Sequence, residues 1–292
     1  MKDRFRSVAG RVAAAVLLTA ASASVAAAQD NSEGPPYLND RGTGIATSMF
    51  GTYVGRGELL VYPFFEAYVD KNLEYKPDEW GYKGDQDFRG KYKAKEVLLW
   101  GAYGITDRLA VEFETALIRA TFEKSPNDLS GLPSRVEQSG LGDVEGQVRY
   151  RWRQEDSRRP EVYSYFEAVV PHHGEKFLIG MSGWETKYGT GIIRGFRWGT
   201  ITARAAVEYV PSSSSPFDIG EYALEYLKRV SPKWRIYLGM EGTQDEVSVI
   251  TEAQWHVSRN AFVRFNNGVG VTSKSTDWAP EVGVVFIFPT RK

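Results

Sequence analysis

The chain has 292 residues, a formal charge of −1, no cysteine and three histidines. No charge excess and no basic stripe with interleaved aromatics marks a nucleic-acid partner. The absence of cysteine excludes a disulfide framework and thiol chemistry.

Residues 1–28 read as a secretory signal. Lys2, Arg4, Arg6 and Arg11 form a basic start, an apolar run follows over 12–18, and Ala26, Ala27 and Ala28 supply small residues at a cleavage site before Gln29. An N-terminal membrane anchor is the alternative, but the segment is Ala-rich and well short of the ~20 strongly apolar residues a spanning helix needs. Removing it leaves a charge of about −4. Residues 29–57 are expected to form a periplasmic N-terminal segment. Residues 29–41 read as a mobile lead-in, and the Gly- and Thr-rich stretch 42–57 fits an extra strand, a plug-like segment or a short helix.

From Glu58 to the end, twelve strand-like segments are separated by links that alternate long and short. The long links are placed at 70–93, 121–138, 171–182, 211–216, 243–245 and 272–277. The short ones fall at 104–107, 153–160, 199, 231–232 and 258–260. The link at 243–245 is short for its class. An even-stranded up-and-down barrel in a Gram-negative outer membrane has this layout, with short periplasmic turns and longer outer loops. The fold class expected is therefore an all-β, membrane-spanning antiparallel barrel over 58–292.

Period-two alternation supports that assignment. In 142–152, Val144, Val148, Tyr150 and Trp152 share one face, and Asp143, Glu145, Gln147, Arg149 and Arg151 share the other. Segments 200–209, 220–227 and 233–242 repeat the pattern. Expected strand lengths of about 10–13 residues slightly exceed the ~9–11 of a tilted transmembrane strand. They exceed the ~5–6 usual in soluble sandwiches by more. A lipocalin-like barrel would have only about eight strands and an apolar interior. A mean hydropathy of −0.37 fits a barrel, because only alternate residues meet lipid. Trp152, Trp198, Trp234 and Trp255 lie near short turns, and Trp184 and Trp278 lie beside long loops. This is the placement of two interfacial aromatic girdles.

Three stretches carry a family resemblance: Tyr103-Gly104-Ile105-Thr106-Asp107-Arg108-Leu109, Ser139-Gly140-Leu141-Gly142-Asp143-Val144, and Val148-Arg149-Tyr150-Arg151-Trp152. They resemble the outer-membrane proteins grouped under the phenol-degradation meta-pathway name, often described as transporters. About a quarter of the chain carries the likeness closely, the rest only in layout. The resemblance implies an outer-membrane barrel and uptake of small, often aromatic or apolar molecules, and it supplies no catalytic residues. The ending departs from the usual barrel pattern: Phe286 and Phe288 alternate correctly, but Pro289, Thr290, Arg291 and Lys292 follow.

Threading the strands with both termini in the periplasm gives each polar side chain a height. The acids Asp143, Glu145, Glu208, Glu221, Glu225, Glu241 and Glu281 are expected to line the outer half of the lumen. Arg149, Arg151, Arg204, Arg235 and Arg264 are expected in the periplasmic half. Such charged layers set pore selectivity. Alternatively they fill a narrow lumen and pair across strands, as in small closed barrels. In the loop 70–93, Tyr75, Trp80, Tyr82, Phe88 and Tyr92 suggest an ordered cover on the mouth, or a surface loop packed on itself. Asp78, Glu79, Asp85 and Asp87 match no recognised calcium loop, so no metal is expected.

An enzyme reading rests on His172 and His173 near Ser182 and Glu185, a rim arrangement conceivable for a hydrolase or acyltransferase. No nucleophile-elbow motif frames Ser182, and no His-Glu-x-x-His motif exists. No catalytic residue and no cofactor are therefore expected. The expected function is passive passage of a small solute through the outer membrane. Outer-membrane lipid, lipopolysaccharide and the barrel-assembly machinery are the expected partners. A structural barrel with a filled lumen is the third reading.

Overall fold

A computed structural model describes residue 35 and residues 38–172, 175–181, 183–211 and 216–290 of the chain. The secretory signal expected at 1–28 lies outside them. A short hairpin, β1 (Ile45–Ala46) and β2 (Tyr53–Val54), precedes twelve long strands. These are β3 (Glu58–Tyr75), β4 (Phe88–Gly104), β5 (Leu109–Glu123), β6 (Arg135–Arg153), β7 (Glu161–Val170) and β8 (Glu185–Phe196), followed by β9 (Gly199–Tyr209), β10 (Phe217–Ser231), β11 (Trp234–Gly242), β12 (Val247–Ser258), β13 (Ala261–Gly270) and β14 (Ala279–Pro289). Each pairs antiparallel with its sequence neighbours, and β14 pairs with β3 to close the barrel. Closure leaves no unpaired sheet edge.

The alternation of side chains sorts polar from apolar. On β6, Gln147, Arg149 and Arg151 are buried in the interior, whereas Val148 and Trp152 are 46% and 58% exposed on the outside. On β6 the inward face is thus the polar one, opposite to a soluble barrel, whereas the inward positions of β3 and β4 include Leu60, Tyr62, Phe64, Leu98 and Trp100. The exposed outer surface carries Trp152, Trp198, Trp234 and Trp255 at the short-turn end, and Trp184 and Trp278 at the long-loop end.

The strands run further than the sequence pattern suggested. β3 has 18 residues, β4 17 and β6 19. The link expected at 70–93 shrinks to 76–87, so Tyr75, Phe88 and Tyr92 belong to strands and only Trp80 and Tyr82 remain in the link. Cross-strand pairing of Asp70 with Tyr92 and of Tyr75 with Phe88 sustains the hairpin above the apolar belt, where alternation had faded. The link itself holds one 3₁₀ turn, Pro77–Trp80, closed by Gly81 in the left-handed region.

Residues 38–41, read as the end of a lead-in, and 42–57, read as an extra strand, a plug-like segment or a short helix, lie together in the structure. They fold back into the short-turn end of the lumen, where Ile45 and Val54 pack with Leu60, Tyr62, Trp100 and Val285. Arg41, placed by its polar neighbours in a mobile segment, is buried there. A charged residue needs local solvent only when no opposite charge awaits it inside.

Candidate functional site

The lumen has three layers. Its floor is the 38–57 segment, held by side chains from the surrounding strands. Arg41 donates to Glu155 at 2.7 Å and to Glu161 at 3.0 Å, with all three side chains fully buried. Arg151 donates from Nη1 to the carbonyls of Thr43 and Gly44, each at 2.9 Å, and from Nε to that of Asp107 at 3.0 Å. It therefore ties the floor to the β4–β5 turn. Glu112 accepts from the Ser48 backbone N–H at 2.8 Å and pairs with Arg149 at 2.8 Å. Trp100 Nε1 donates to the Ser48 hydroxyl at 3.1 Å. Phe50 stacks on Tyr237 with centroids 5.2 Å apart, and the Arg204 guanidinium lies 4.9 Å above the Phe50 ring.

Above the floor lies a mixed layer. Arg204 reaches Glu221 at 2.6 Å and Glu225 and Glu241 at 3.5 Å each. Arg264 pairs with Glu252 and lies 4.8 Å from the Tyr62 ring centroid. The Tyr62 hydroxyl donates to Glu281, which also accepts from Asn266 at 3.4 Å. The expected separation of acids above arginines is therefore incomplete. Glu112, Glu155, Glu161 and Glu252 occupy the arginine level, because a buried guanidinium requires an opposite charge within reach. Arg235 lies at the short-turn end, cross-strand from Arg229 and Gln254.

The third layer is acidic. Glu66 stands directly opposite Glu96 on one side and Glu281 on the other, and Glu114 stands opposite Glu145. Among the described residues, Glu66, Glu96, Glu114 and Glu145 have no ion-pair partner. Lys187 on β8 pairs instead with Glu185 at 2.8 Å, Glu167 at 3.2 Å and Glu208 at 3.7 Å. The sequence reading missed Glu66, Glu96, Glu114, Glu167 and Lys187. For Glu114 the signal was present on β5, where Glu112 and Glu114 alternate with Val111, Phe113 and Thr115.

Asp143 also holds a link. Its Oδ1 accepts from the His172 backbone N–H at 2.8 Å and its Oδ2 from that of Met181 at 2.7 Å. The β7–β8 link is thereby drawn inward, and Phe177, Leu178 and Ile179 join the mouth. Trp80 stacks on Tyr75 at 5.0 Å and on Phe177 at 5.3 Å, and meets Phe122 edge-on at 4.2 Å. His173 and Ser182 of the rim arrangement lie outside the described residues. No group of His, Asp or Glu suited to a metal occurs among the described residues.

No family model matches the chain, and no curated protein does. Among solved structures, an outer-membrane channel from Pseudomonas putida F1 is similar, with a TM-score of 0.56 at 15% identity over 80% of this chain and 96% of that one. The translocator domain of an autotransporter from Neisseria meningitidis gives 0.48 at 10% identity, covering 80% and 89%. A toluene transporter from Ralstonia pickettii gives 0.38 at 13%, covering 81% and 90%. The first shows a shared barrel fold; the other two carry no argument.

Proposed function

We propose that the protein is an outer-membrane channel for passive passage of a small neutral or cationic molecule with an apolar or aromatic body. The observation that carries this reading is the run of like charges Glu281–Glu66–Glu96, with Glu114–Glu145 beside it. Carboxylates directly opposite one another weaken a sheet. A lumen selected only for stability would replace or pair them. In a low-dielectric wall they focus a negative potential that concentrates cations and repels anions. Partly exposed Trp80, Tyr82, Phe177 and Leu178 at the mouth, packed over the buried Tyr75 and Phe122, suit an apolar body, as the resemblance of the three sequence stretches implies. The floor of residues 38–57 would set the resistance of the path.

Reversal potentials in planar bilayers test the reading. The full chain, and a chain shortened through residue 54, are expected to prefer cations, with larger conductance in the shortened form. Glu66→Gln with Glu96→Gln is expected to lower that preference. Absence of conductance in both chains favours a structural barrel, the reading supported by the buried ion pairs of Arg41. Anion preference overturns the acidic-vestibule mechanism.

A further inference from the structure

The outer wall carries a charged feature that passage of a solute does not use. On β4, Lys91, Lys93 and Lys95 alternate outward, one above another, directly beyond the apolar outward positions Val97 and Leu99. Arg119 on β5 lies opposite Lys95, and Arg135 follows on β6. Arg119 is held by Glu137, and Arg135 lies 3.7 Å from Glu123. Lys91 faces Glu123 across the strands, and Lys93 and Lys95 face Thr121 and Arg119. None of these three lysines has an ion-pair partner among the described residues.

Two facts set this patch apart from a general rim of charge. At the long-loop end of β7–β10 the outward face carries Val170, Thr186, Tyr188, Val207, Tyr209, Phe217 and Ile219, all uncharged. The row also ends, at Lys95, on a hollow of about 290 Å³ in the outer wall, lined by Phe65, Val97, Leu117 and Ile118 with Lys95 and Arg119 at its edge. Glu96 and Gly140 also border it. The hollow lies where β5 and β6 slip register between Thr115 and Leu117.

We propose that this face binds the phosphorylated glycolipid of the outer leaflet, with its phosphates on Lys93 and Lys95 and one acyl chain in the hollow below. A lysine ammonium meets phosphate as a point charge with charge-assisted hydrogen bonds, and outward residues on one strand stand ~7 Å apart. The lysines thus offer a vertical row of cations at the level where headgroups begin. The inference rests on the outer-membrane placement proposed above, with the long loops outward.

Native mass spectrometry of the full chain in detergent, titrated with bis-phosphorylated lipid A, tests it. Wild type is expected to hold the lipid, and the phosphate-free form of lipid A is expected to bind much less. Lys93→Gln with Lys95→Gln is expected to weaken binding on the order of tenfold or more, from roughly fivefold per lysine. Lys233→Gln, at the short-turn end, serves as control. Equal binding by the double variant and wild type, or an equal loss in the control, overturns the proposal. Both variants change exposed side chains, and their folding is checked by heat-modifiable migration. Conductance reads the channel hypothesis separately: a non-conducting barrel that binds lipid A sinks that reading and leaves this one standing.

Discussion

Arg41 and Glu161 are 120 residues apart in the chain, yet Nη1 of Arg41 donates to the Glu161 carboxylate at 3.0 Å where neither side chain is exposed. Glu155 takes the other nitrogen, so one guanidinium anchors the luminal floor to the β6–β7 turn and to β7. Removing Arg41 strips both carboxylates of their nearest cation and leaves them to Arg194 and Arg151 at 3.5 Å each; breaking a buried ion pair costs about 3–5 kcal/mol. Arg41→Ala is expected to release the floor, seen as protease cleavage within residues 38–57 while the barrel stays resistant. Arg41→Met combined with Glu155→Gln and Glu161→Gln is expected to restore much of the protection. Unchanged cleavage in Arg41→Ala would falsify the anchoring role.

Two glycines on β8 make room for the tyrosines that face Arg149. A Cβ on Gly189 would lie 2.1 Å from the Tyr165 ring, and one on Gly191 would lie 2.4 Å from that of Tyr163. Those rings hold Arg149 at 4.9 and 5.4 Å from their centroids. Gly189→Ala and Gly191→Ala are each expected to destabilise the barrel by about 1–3 kcal/mol through overpacking. The check is a lower temperature for the folded-to-unfolded band shift in gels. A neighbouring outward position, Thr190→Ala, serves as the comparison.

The Asp143 carboxylate collects two backbone N–H groups of the β7–β8 link. Hydrogen bonds to a charged acceptor contribute about 1.5–3 kcal/mol each. Asp143→Ala is expected to raise amide exchange over 175–181 by more than tenfold, with β6 and β7 amides unaffected. Protection of 175–181 equal to wild type would show that the aromatic contacts of Phe177 alone hold the link.

Lys274 bridges two other links, with Glu79 at 3.1 Å and Asp245 at 3.2 Å. Partial desolvation works against its charge, but the hydrogen bonds to Glu79 and Asp245 prevail and hold its pKa above the ordinary lysine value. A raised folded value means the bridge contributes fully below the unfolded lysine pKa of about 10.4 and is lost as pH rises through the folded one. Amide exchange in the 76–87 and 243–246 links, corrected for intrinsic rate, is therefore expected to be flat from pH 7 to 9 and to rise only in strong alkali. Lys274→Ala should abolish that pH step, and a step near neutrality would contradict the assignment.

Local alternation in the sequence was enough to mark the twelve strands and their antiparallel order. It did not mark the inward side of β3, where Leu59, Leu60, Val61, Tyr62, Phe64 and Phe65 make both sides apolar. In 142–152, 200–209, 220–227 and 233–242 it did mark the polar and apolar sides. Segment 142–152 shows why: a strand exposes successive side chains to opposite environments, so polarity with period two is written residue by residue. The long–short alternation of links was legible for the same reason, apart from strand ends such as Tyr75 and Phe88. There pairing continues past the apolar belt and polarity no longer reports the face. Only the tertiary structure decided what fills the lumen. The partners of Arg41, Ser48 and Phe50 are Glu161, Glu112 and Tyr237, each more than sixty residues away. No periodicity within residues 38–57 points to them. Likewise the 2.6 Å contact of Arg204 with Glu221, residues expected in opposite halves of the lumen, did not follow from the sequence. Strand alternation is a local steric fact, whereas ion pairing inside a closed barrel depends on which strands the closure brings face to face.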